Sequence, residues 1–152
     1  MAERKARVLA VDDDQPTREM LERSLALRGF DCYVVGSAVE AAEILAREDF
    51  DLLLLDILMP GRSGMELLRV VADHPHMAVV VLSAFADAFA ATKALKEGAD
   101  DYVTKPVNLD ELAVRMERAI ERRSTLAQNE HMQAAIGEFA DLMEERRPKS
   151  AS

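Results

Sequence analysis

The sequence predicts an α/β fold, a doubly wound five-stranded parallel sheet covered by helices on both faces, with a C-terminal helical extension. First, short apolar runs alternate with segments of helical periodicity, and such βα units build parallel sheets. Second, the runs show little polar alternation, as expected of strands buried on both faces. Third, four of the five runs end in acidic, hydroxyl or lysine residues, which marks one polar edge of the sheet.

Composition limits the classes of function. A chain of 152 residues suggests one domain with a sizeable core, and its formal net charge of −9 argues against a nucleic-acid surface, which needs clustered Lys and Arg. The only cysteine, Cys32, has no partner for an internal disulfide and is expected to be a small buried apolar residue. The sequence has no signal peptide and no apolar segment long enough for a membrane span. We therefore expect a reduced, cytoplasmic protein that binds neither nucleic acid nor membrane.

The first two strand–helix units are marked by their helix ends. The apolar strand at residues 8–11 is followed by a helix with Pro16 in its first turn, and Gly29 stops this helix. The second strand is predicted at residues 32–35. Ser37 and Glu40 then form a capping box for a helix that ends at about residue 47.

The third strand is the run of four leucines at residues 52–55, which ends in Asp56 before Pro60-Gly61 breaks the backbone into a loop. A helix at about residues 65–72 follows. The fourth strand, residues 77–82, is uninterruptedly apolar and ends at Ser83.

The last part of the predicted domain contains one helix, one strand and a final helix. The helix at residues 85–97 is closed by Gly98, and the fifth strand, residues 102–104, ends at Lys105-Pro106. Asn108 and Glu111 cap the final helix, which is expected to run to about Arg123.

Three acids, a hydroxyl and a lysine are expected to meet at one edge, because the carboxyl ends of parallel strands lie together. They are Asp12, Asp13, Asp56, Ser83 and Lys105. Carboxylates about 5 Å apart repel by roughly 3 kcal/mol per pair at an effective dielectric near 20, so the cluster must hold protons or a cation. Oxygen ligands without His or Cys favour Mg²⁺. Since a lysine suits a phosphate oxygen and an Asp can attack phosphorus, the sequence indicates a site that forms and holds an aspartyl phosphate.

Five motifs resemble the receiver domain of two-component response regulators, in the right order and at the right spacing. They are Val11-Asp12-Asp13, Leu55-Asp56-Ile57-Leu58-Met59-Pro60-Gly61, Gly64, Ser83-Ala84 and Asp101-Tyr102-Val103-Thr104-Lys105-Pro106. The resemblance covers about residues 5–123. It implies the flavodoxin-like strand order 2-1-3-4-5, of which this family is a standard example.

The resemblance also implies the parts of the phosphorylation site. Asp56 is the expected phosphoacceptor, and Asp12 and Asp13 are the acid pair that positions Mg²⁺, or Mn²⁺ in its place. Asp56 is also an expected ligand of the metal. The backbone carbonyl of Leu58 resembles a further protein ligand.

Further roles concern the response to phosphorylation. Lys105 matches the phosphate-binding lysine, with an expected cis bond to Pro106. Ser83 matches the switch hydroxyl that follows the phosphoryl group, and Tyr102 matches the aromatic residue that changes rotamer with it. Leu58 and Phe85 match the two positions that flank the path of hydrolytic water in this family, and neither side chain can orient water.

The resemblance implies that a sensor histidine kinase or phosphotransfer protein donates the phosphoryl group and that a downstream protein reads the result. The expected catalysis is limited to the chain's own phosphorylation and dephosphorylation. One alternative is a receiver fragment of a longer regulator whose output domain is missing. A second is a phosphatase of the haloacid dehalogenase type, although that family needs another Asp two residues after its nucleophile, where this chain has Leu58.

Beyond the expected receiver domain at residues 5–123, we predict a helical extension at residues 124–147 and a disordered tail at residues 148–152. The extension carries a heptad-like apolar stripe of Met132, Ile136, Phe139 and Met143, with Asn129 as a polar residue on the same seam. This stripe packs on its own receiver domain or pairs with another chain, or the extension is a truncated linker to a missing output domain. Homodimerisation through it and the face formed by the fourth helix, fifth strand and fifth helix is one expected outcome.

Overall fold

The computed structural model of the chain describes residues 4–57, 64–72, 74, 76–84 and 88–146. Five parallel strands form one sheet in the order β2-β1-β3-β4-β5, which confirms the predicted fold and strand order. The strands are β1 (Arg7–Val11), β2 (Asp31–Val35), β3 (Leu52–Asp56), β4 (Ala78–Ser83) and β5 (Asp101–Thr104). The helices are α1 (Gln15–Leu27), α2 (Ala38–Leu45), α3 (Gly64–Val71), α4 (Ala88–Lys96) and α5 (Leu109–Arg146).

Local sequence signals set most helix ends. The side chain of Asp14 accepts a hydrogen bond from the backbone N–H of Thr17 and caps α1, whereas Ser37 does the same for α2 through Glu40. Gly29 and Gly98, which follow α1 and α4, have φ angles of 91° and 114°. A residue with a Cβ rarely adopts these angles, which explains why both helices end at glycine.

Two apolar cores lie on opposite faces of the sheet. Alternate residues of the central strands point to each face, so that Leu53 and Leu55 face the core under α2, α3 and α4, while Leu52 and Leu54 face the core under α1 and α5. Every residue of β3 and β4 is buried. This double burial accounts for the uninterrupted apolar runs in the sequence.

Helix α5 differs from the prediction of a domain helix that ends near Arg123. It is one helix of 38 residues and passes directly into the extension. Its domain part is anchored where it leaves the sheet, because Arg123 Nε donates to the two carboxylate oxygens of Asp100 at 2.9 and 3.1 Å. The Asp100 carboxylate also accepts the backbone N–H of Val79 at 2.8 Å. The start of β4, the α4–β5 connection and α5 are therefore held together at one point.

Within the extension, every side chain that the structure describes between residues 133 and 144 is exposed, including Ile136, Phe139 and Met143. In the single chain, this part of the stripe does not pack on its own receiver domain. The side chains of Met132 and Asn129, the other predicted residues of the seam, lie outside what the structure describes, and so does the predicted tail at residues 148–152. Among the helices described, none combines the length and apolar character that crossing a membrane requires.

Candidate functional site

The carboxyl ends of the strands bring polar side chains into a largely buried position. Asp12 follows β1 and is 1% exposed, Asp56 ends β3 and is 5% exposed, and Ser83 ends β4 and is 1% exposed. They are the only buried polar or charged residues in the described part of the chain. Burial of two carboxylates is costly unless they are paired, so their concentration at one edge marks a functional position.

The acidic cluster has the composition that the sequence predicts. Carboxylate oxygens of Asp12, Asp13 and Asp56 all lie within 4.8 Å of one another, and Asp13 is exposed while its two neighbours are buried. Asp14 is not part of this group. It caps α1 instead, and hydrogen bonds from the Thr17 hydroxyl and backbone N–H hold the pKa of Asp14 below its usual value.

Lys105 reaches into the acidic cluster from the end of β5. Its Nζ lies 2.7 Å from Asp12 Oδ2 and 3.2 Å from Asp56 Oδ2. Partial burial by itself lowers the pKa of the ammonium group, but its bonds to the two carboxylates outweigh this, and the net pKa lies above the usual value. Lys105 is therefore positively charged at neutral pH and offsets part of the repulsion within the cluster.

Backbone contacts fix where Lys105 points. Its backbone N–H donates to the carbonyl oxygen of Ser83 at 2.7 Å, and the bond from Lys105 to Pro106 is cis, as the sequence predicts. The end of β5 is thus attached to the end of β4 at the residue that carries the buried hydroxyl. This connection places the lysine and Ser83 at the same edge.

Two contacts of the site were not anticipated from the sequence, although Gly64 itself belongs to the five recognised motifs. Arg18 Nη1 donates to the backbone carbonyl of Asp12 at 2.8 Å, which ties α1 to the end of β1. Gly64, the first residue of α3, packs so closely that a Cβ there would lie 2.6 Å from the carbonyl oxygen of Asp56 and 2.9 Å from Ile57 Cα. The position of Asp56 therefore depends on the absence of a side chain at residue 64.

The other predicted residues are placed as follows. Tyr102 is half-buried in β5, the strand next to β4, which carries Ser83. Leu58 and Phe85 lie outside the described residues. Cys32, expected to be buried, is only half-buried in β2, and this burial raises the pKa of its thiol to about 12.

The donor set fits a small divalent cation. Three carboxylates supply only hard oxygen ligands, and the exposed side chain of Asp13 leaves the group open to solvent on one side. Mg²⁺ usually keeps several waters and binds through one or two protein carboxylates, so an open acidic cluster suits it better than a closed cage would. Asp12, Asp13 and Asp56 are the residues that would hold such an ion.

Comparison with known proteins identifies the architecture. A family model described as the response regulator receiver domain matches residues 8–117. The chain belongs to the response regulator receiver family. The match spans the strands and helices that build the site, from β1 into the domain part of α5. Receiver domains interact with histidine kinases and downstream targets, and they are not enzymes in the usual sense.

Similar proteins are regulators that are longer than this receiver chain. The DNA-binding transcriptional regulator NtrC of Escherichia coli (strain K12) is 42% identical over 114 residues, which cover 74% of this chain and 24% of NtrC. The response regulator MprA of Mycobacterium ulcerans (strain Agy99) is 38% identical over 137 residues, which cover 90% of this chain and 59% of MprA. The chain therefore spans between a quarter and three fifths of these relatives.

Solved structures have the same fold. The CheY-like receiver domain protein from Methanospirillum hungatei JF-1 superposes with a TM-score of 0.75 at 28% identity, covering 80% of this chain and 98% of that one. NtrX from Brucella abortus gives a TM-score of 0.78 at 27% identity, covering 88% of this chain and 30% of NtrX. The alternative of a haloacid dehalogenase phosphatase is not supported by any of these matches.

Proposed function

We propose that this receiver accepts a phosphoryl group on Asp56 from the phosphohistidine of a sensor histidine kinase or phosphotransfer protein in the cytoplasm. The observation that carries this proposal is the position of the Asp56 carboxylate, at the end of the central strand and 3.2 Å from the Lys105 ammonium. Fold and family membership make the chain a receiver; the geometry supports Asp56 as its acceptor.

The transfer needs little chemistry from the protein. A carboxylate oxygen of Asp56 attacks phosphorus, the new P–O bond replaces the P–N bond, and the imidazole leaves with the bonding electrons and takes a proton from water. Lys105 stays protonated and pairs with a phosphoryl oxygen. Mg²⁺ held by Asp12, Asp13, Asp56 and the Leu58 carbonyl would neutralise charge on the transferring group. The product is an aspartyl phosphate, and later hydrolysis restores the carboxylate.

Stoichiometry tests this proposal against phosphatase activity. Incubation with a phosphorylated kinase domain should transfer close to one phosphate per chain and then stop, because the acceptor is consumed. The kinase that labels the chain fastest in a panel of candidates would be its donor. Continuous release of phosphate from a monoester, at many turnovers per chain, would contradict the receiver mechanism.

Removal of one metal ligand should weaken cation binding. In the Asp13→Ala variant we expect Mg²⁺ affinity to fall at least tenfold, since the open side of the cluster loses a hard oxygen ligand. Mg²⁺ titration followed by NMR of the full chain would measure it. Asp110→Ala, which removes an exposed carboxylate on α5, is the control and should leave the titration unchanged. An unaltered titration in Asp13→Ala would remove this residue from the metal site.

The phosphate on Asp56 should be long-lived. Leu58 and Phe85 match the two positions that flank the path of hydrolytic water in the receiver family, and an apolar side chain cannot orient a water molecule for attack. We expect the double variant Leu58→Asn with Phe85→Glu to shorten the half-life of the phosphorylated chain several-fold, measured as loss of radiolabel after donor removal. An unchanged decay rate would contradict the assignment of these positions.

Phosphorylation would act on the neighbouring surface. It adds a charge of about −1.5 to −2 and three acceptor oxygens, which Lys105 and the Ser83 hydroxyl would bind. Movement of Ser83 toward the phosphate vacates space for Tyr102, and the face of α4, β5 and α5 changes shape. A downstream protein, rather than nucleic acid or membrane, would read this face.

We also propose that two chains pair through the extension of α5. Ile136, Phe139 and Met143 form a stripe that is exposed in the single chain, and monomeric proteins rarely leave such stripes uncovered. The seam is only about two heptads long, and Asn129 on it would fix the register at some cost in stability. Pairing therefore needs help from the receiver face, so phosphorylation should strengthen it.

Sedimentation of two chain lengths would test the dimer. The full chain should associate more strongly with an acyl-phosphate donor than without it, whereas a chain that ends at Arg123 should lose most of this association. The shorter chain retains the Arg123–Asp100 contact that anchors α5 to the domain. Equal association of both lengths would exclude the stripe from the interface, and association of neither would exclude the dimer.

A further inference from the structure

A continuous groove between α2 and α3 is not used by the phosphorylation site. Two adjoining depressions of about 360 and 300 Å³ share the lining residues Ala42, Leu67 and Val70 and together follow the length of both helices. Ala42 on α2 and Ala46, which follows the last residue of this helix, supply little side-chain volume, so the two helices leave a gap above the core. Leu67 and Phe50 are buried and form part of an apolar floor.

Apolar side chains are exposed to solvent at both edges of this α2–α3 groove in the single chain. Val70 on α3 is 77% exposed and Val39 on α2 is 53% exposed, and they lie on the two sides of the groove. The eight residues of α2 give the groove a length of about 12 Å, or roughly two helical turns. A short amphipathic helix with apolar residues at i, i+3 or i+4, and i+7 would fit these dimensions.

The negative charge around the groove favours a positively charged helix as the binding partner. Its lining includes four carboxylates, those of Glu43, Glu48, Asp49 and Glu66, and, among the described residues, neither Lys nor Arg. Glu48 already pairs with Arg7 at 2.9 Å, and its side chain remains half exposed. Positively charged residues beside the apolar face of the incoming helix would complement this rim.

The same charges argue against the chain's own extension as the occupant. The exposed apolar stripe of α5 is flanked by Glu138, Asp141 and Glu144, which would face the acidic rim of the groove. Like charges placed together at an interface disfavour that pairing. The α2–α3 groove and the α5 stripe are therefore surfaces for different partners.

We propose that the α2–α3 groove is a docking site for a basic amphipathic helix of a partner protein. The site is separate from the face of α4, β5 and α5, because α2 and α3 cover the part of the sheet nearer β1 and β3. It is also close to the phosphorylation site at one end, since Glu66 and Leu67 follow Gly64, the residue packed on the Asp56 carbonyl. Docking itself requires no phosphate and does not rest on the proposed phosphoacceptor role.

Two synthetic 14-residue peptides with the same leucine pattern would test the proposal, one with lysines and one with glutamates on the polar face. In NMR titrations of the full chain, the lysine peptide should shift backbone signals of α2 and α3 in a saturable manner. The glutamate peptide should bind at least tenfold more weakly. Signal shifts spread over the whole acidic surface, or equal binding of both peptides, would overturn the proposal.

Matched variants locate the contact. Val70→Lys places a positive charge in the groove and should weaken binding of the lysine peptide at least tenfold, and Ala42→Phe should do so by filling the shared floor. Leu27→Lys is the control, because Leu27 is 82% exposed on α1, on the other face of the sheet. Equal weakening by Leu27→Lys would show nonspecific attraction and refute the site. The Asp56→Asn variant should bind the lysine peptide as strongly as the unaltered chain. Peptide binding therefore tests the groove, and labelling of Asp56 tests the phosphoacceptor proposal independently.

Discussion

Replacement of Asp56 by asparagine is expected to reduce labelling by a small acyl-phosphate donor from about one phosphate per chain to none. An amide lacks the anionic oxygen that attacks phosphorus, and no other described carboxylate lies in the same position at the end of β3. Mass spectrometry of the intact chain after incubation with acetyl phosphate and Mg²⁺ would measure the loss.

The asparagine variant should remain folded, so the loss can be assigned to chemistry. At an effective dielectric near 20, Asp56 contributes about 5 kcal/mol of attraction to Lys105 at 3.2 Å. It also takes part in two repulsions, from Asp12 and Asp13, whose carboxylate oxygens lie within 4.8 Å, and each of these costs roughly 3 to 4 kcal/mol or more at the same dielectric. The two repulsions together are at least as large as the attraction, so we expect the free energy of unfolding not to fall.

A neighbouring acid offers a matched control. Asp14→Asn removes a carboxylate two residues from Asp12, yet asparagine is also a good helix cap and should keep the hydrogen bond to Thr17 that starts α1. Labelling of Asp14→Asn should equal that of the unaltered chain. If Asp56→Asn were still labelled, Asp56 would not be the acceptor, whatever the control showed.

The sequence predicts those parts of the molecule that depend on near neighbours or on strand periodicity. The leucines of β3 and the valines of β4 are buried on both faces, so their strands were evident as apolar runs. Asp14 and Ser37 cap helices that begin at the very next residue, so their signal is local. The residues of the site could be predicted to lie together because the carboxyl ends of parallel strands share one edge of the sheet.

Contacts between distant segments could not be predicted in the same way. The pairing of Arg123 with Asp100 and that of Arg18 with the carbonyl of Asp12 depend on how helices pack on the sheet, and arginines at these positions look like ordinary surface residues in the sequence. The α2–α3 groove likewise follows from the distance between two helices. Only the continuity of α5 had a visible signal, since no Gly or Pro occurs between Pro106 and Gly137.

Addition of a single methyl group at Gly64 should damage both the fold and the site. The Cβ of an alanine would lie 2.6 Å from the Asp56 carbonyl oxygen and 2.9 Å from Ile57 Cα, and both are backbone atoms that cannot rotate away. Either the start of α3 or the end of β3 must shift. We expect the free energy of unfolding to fall by about 2 to 3 kcal/mol, in the range of overpacked cores, and labelling of Asp56 to slow at least tenfold.

Gly137→Ala is the control for Gly64→Ala, because it makes the same chemical change where a Cβ would meet nothing within 4 Å. Alanine is favoured over glycine in a helix by about 1 kcal/mol, so this variant should keep or increase the helical circular dichroism signal. It should be labelled as fast as the unaltered chain. Denaturant unfolding measures the effect of Gly64→Ala on stability, and labelling rates measure its effect on the position of Asp56. Slow labelling of a stably folded Gly64→Ala chain would mean that Gly64 positions the acceptor without supporting the fold. Unchanged stability and unchanged labelling would contradict the close packing of α3 on Asp56.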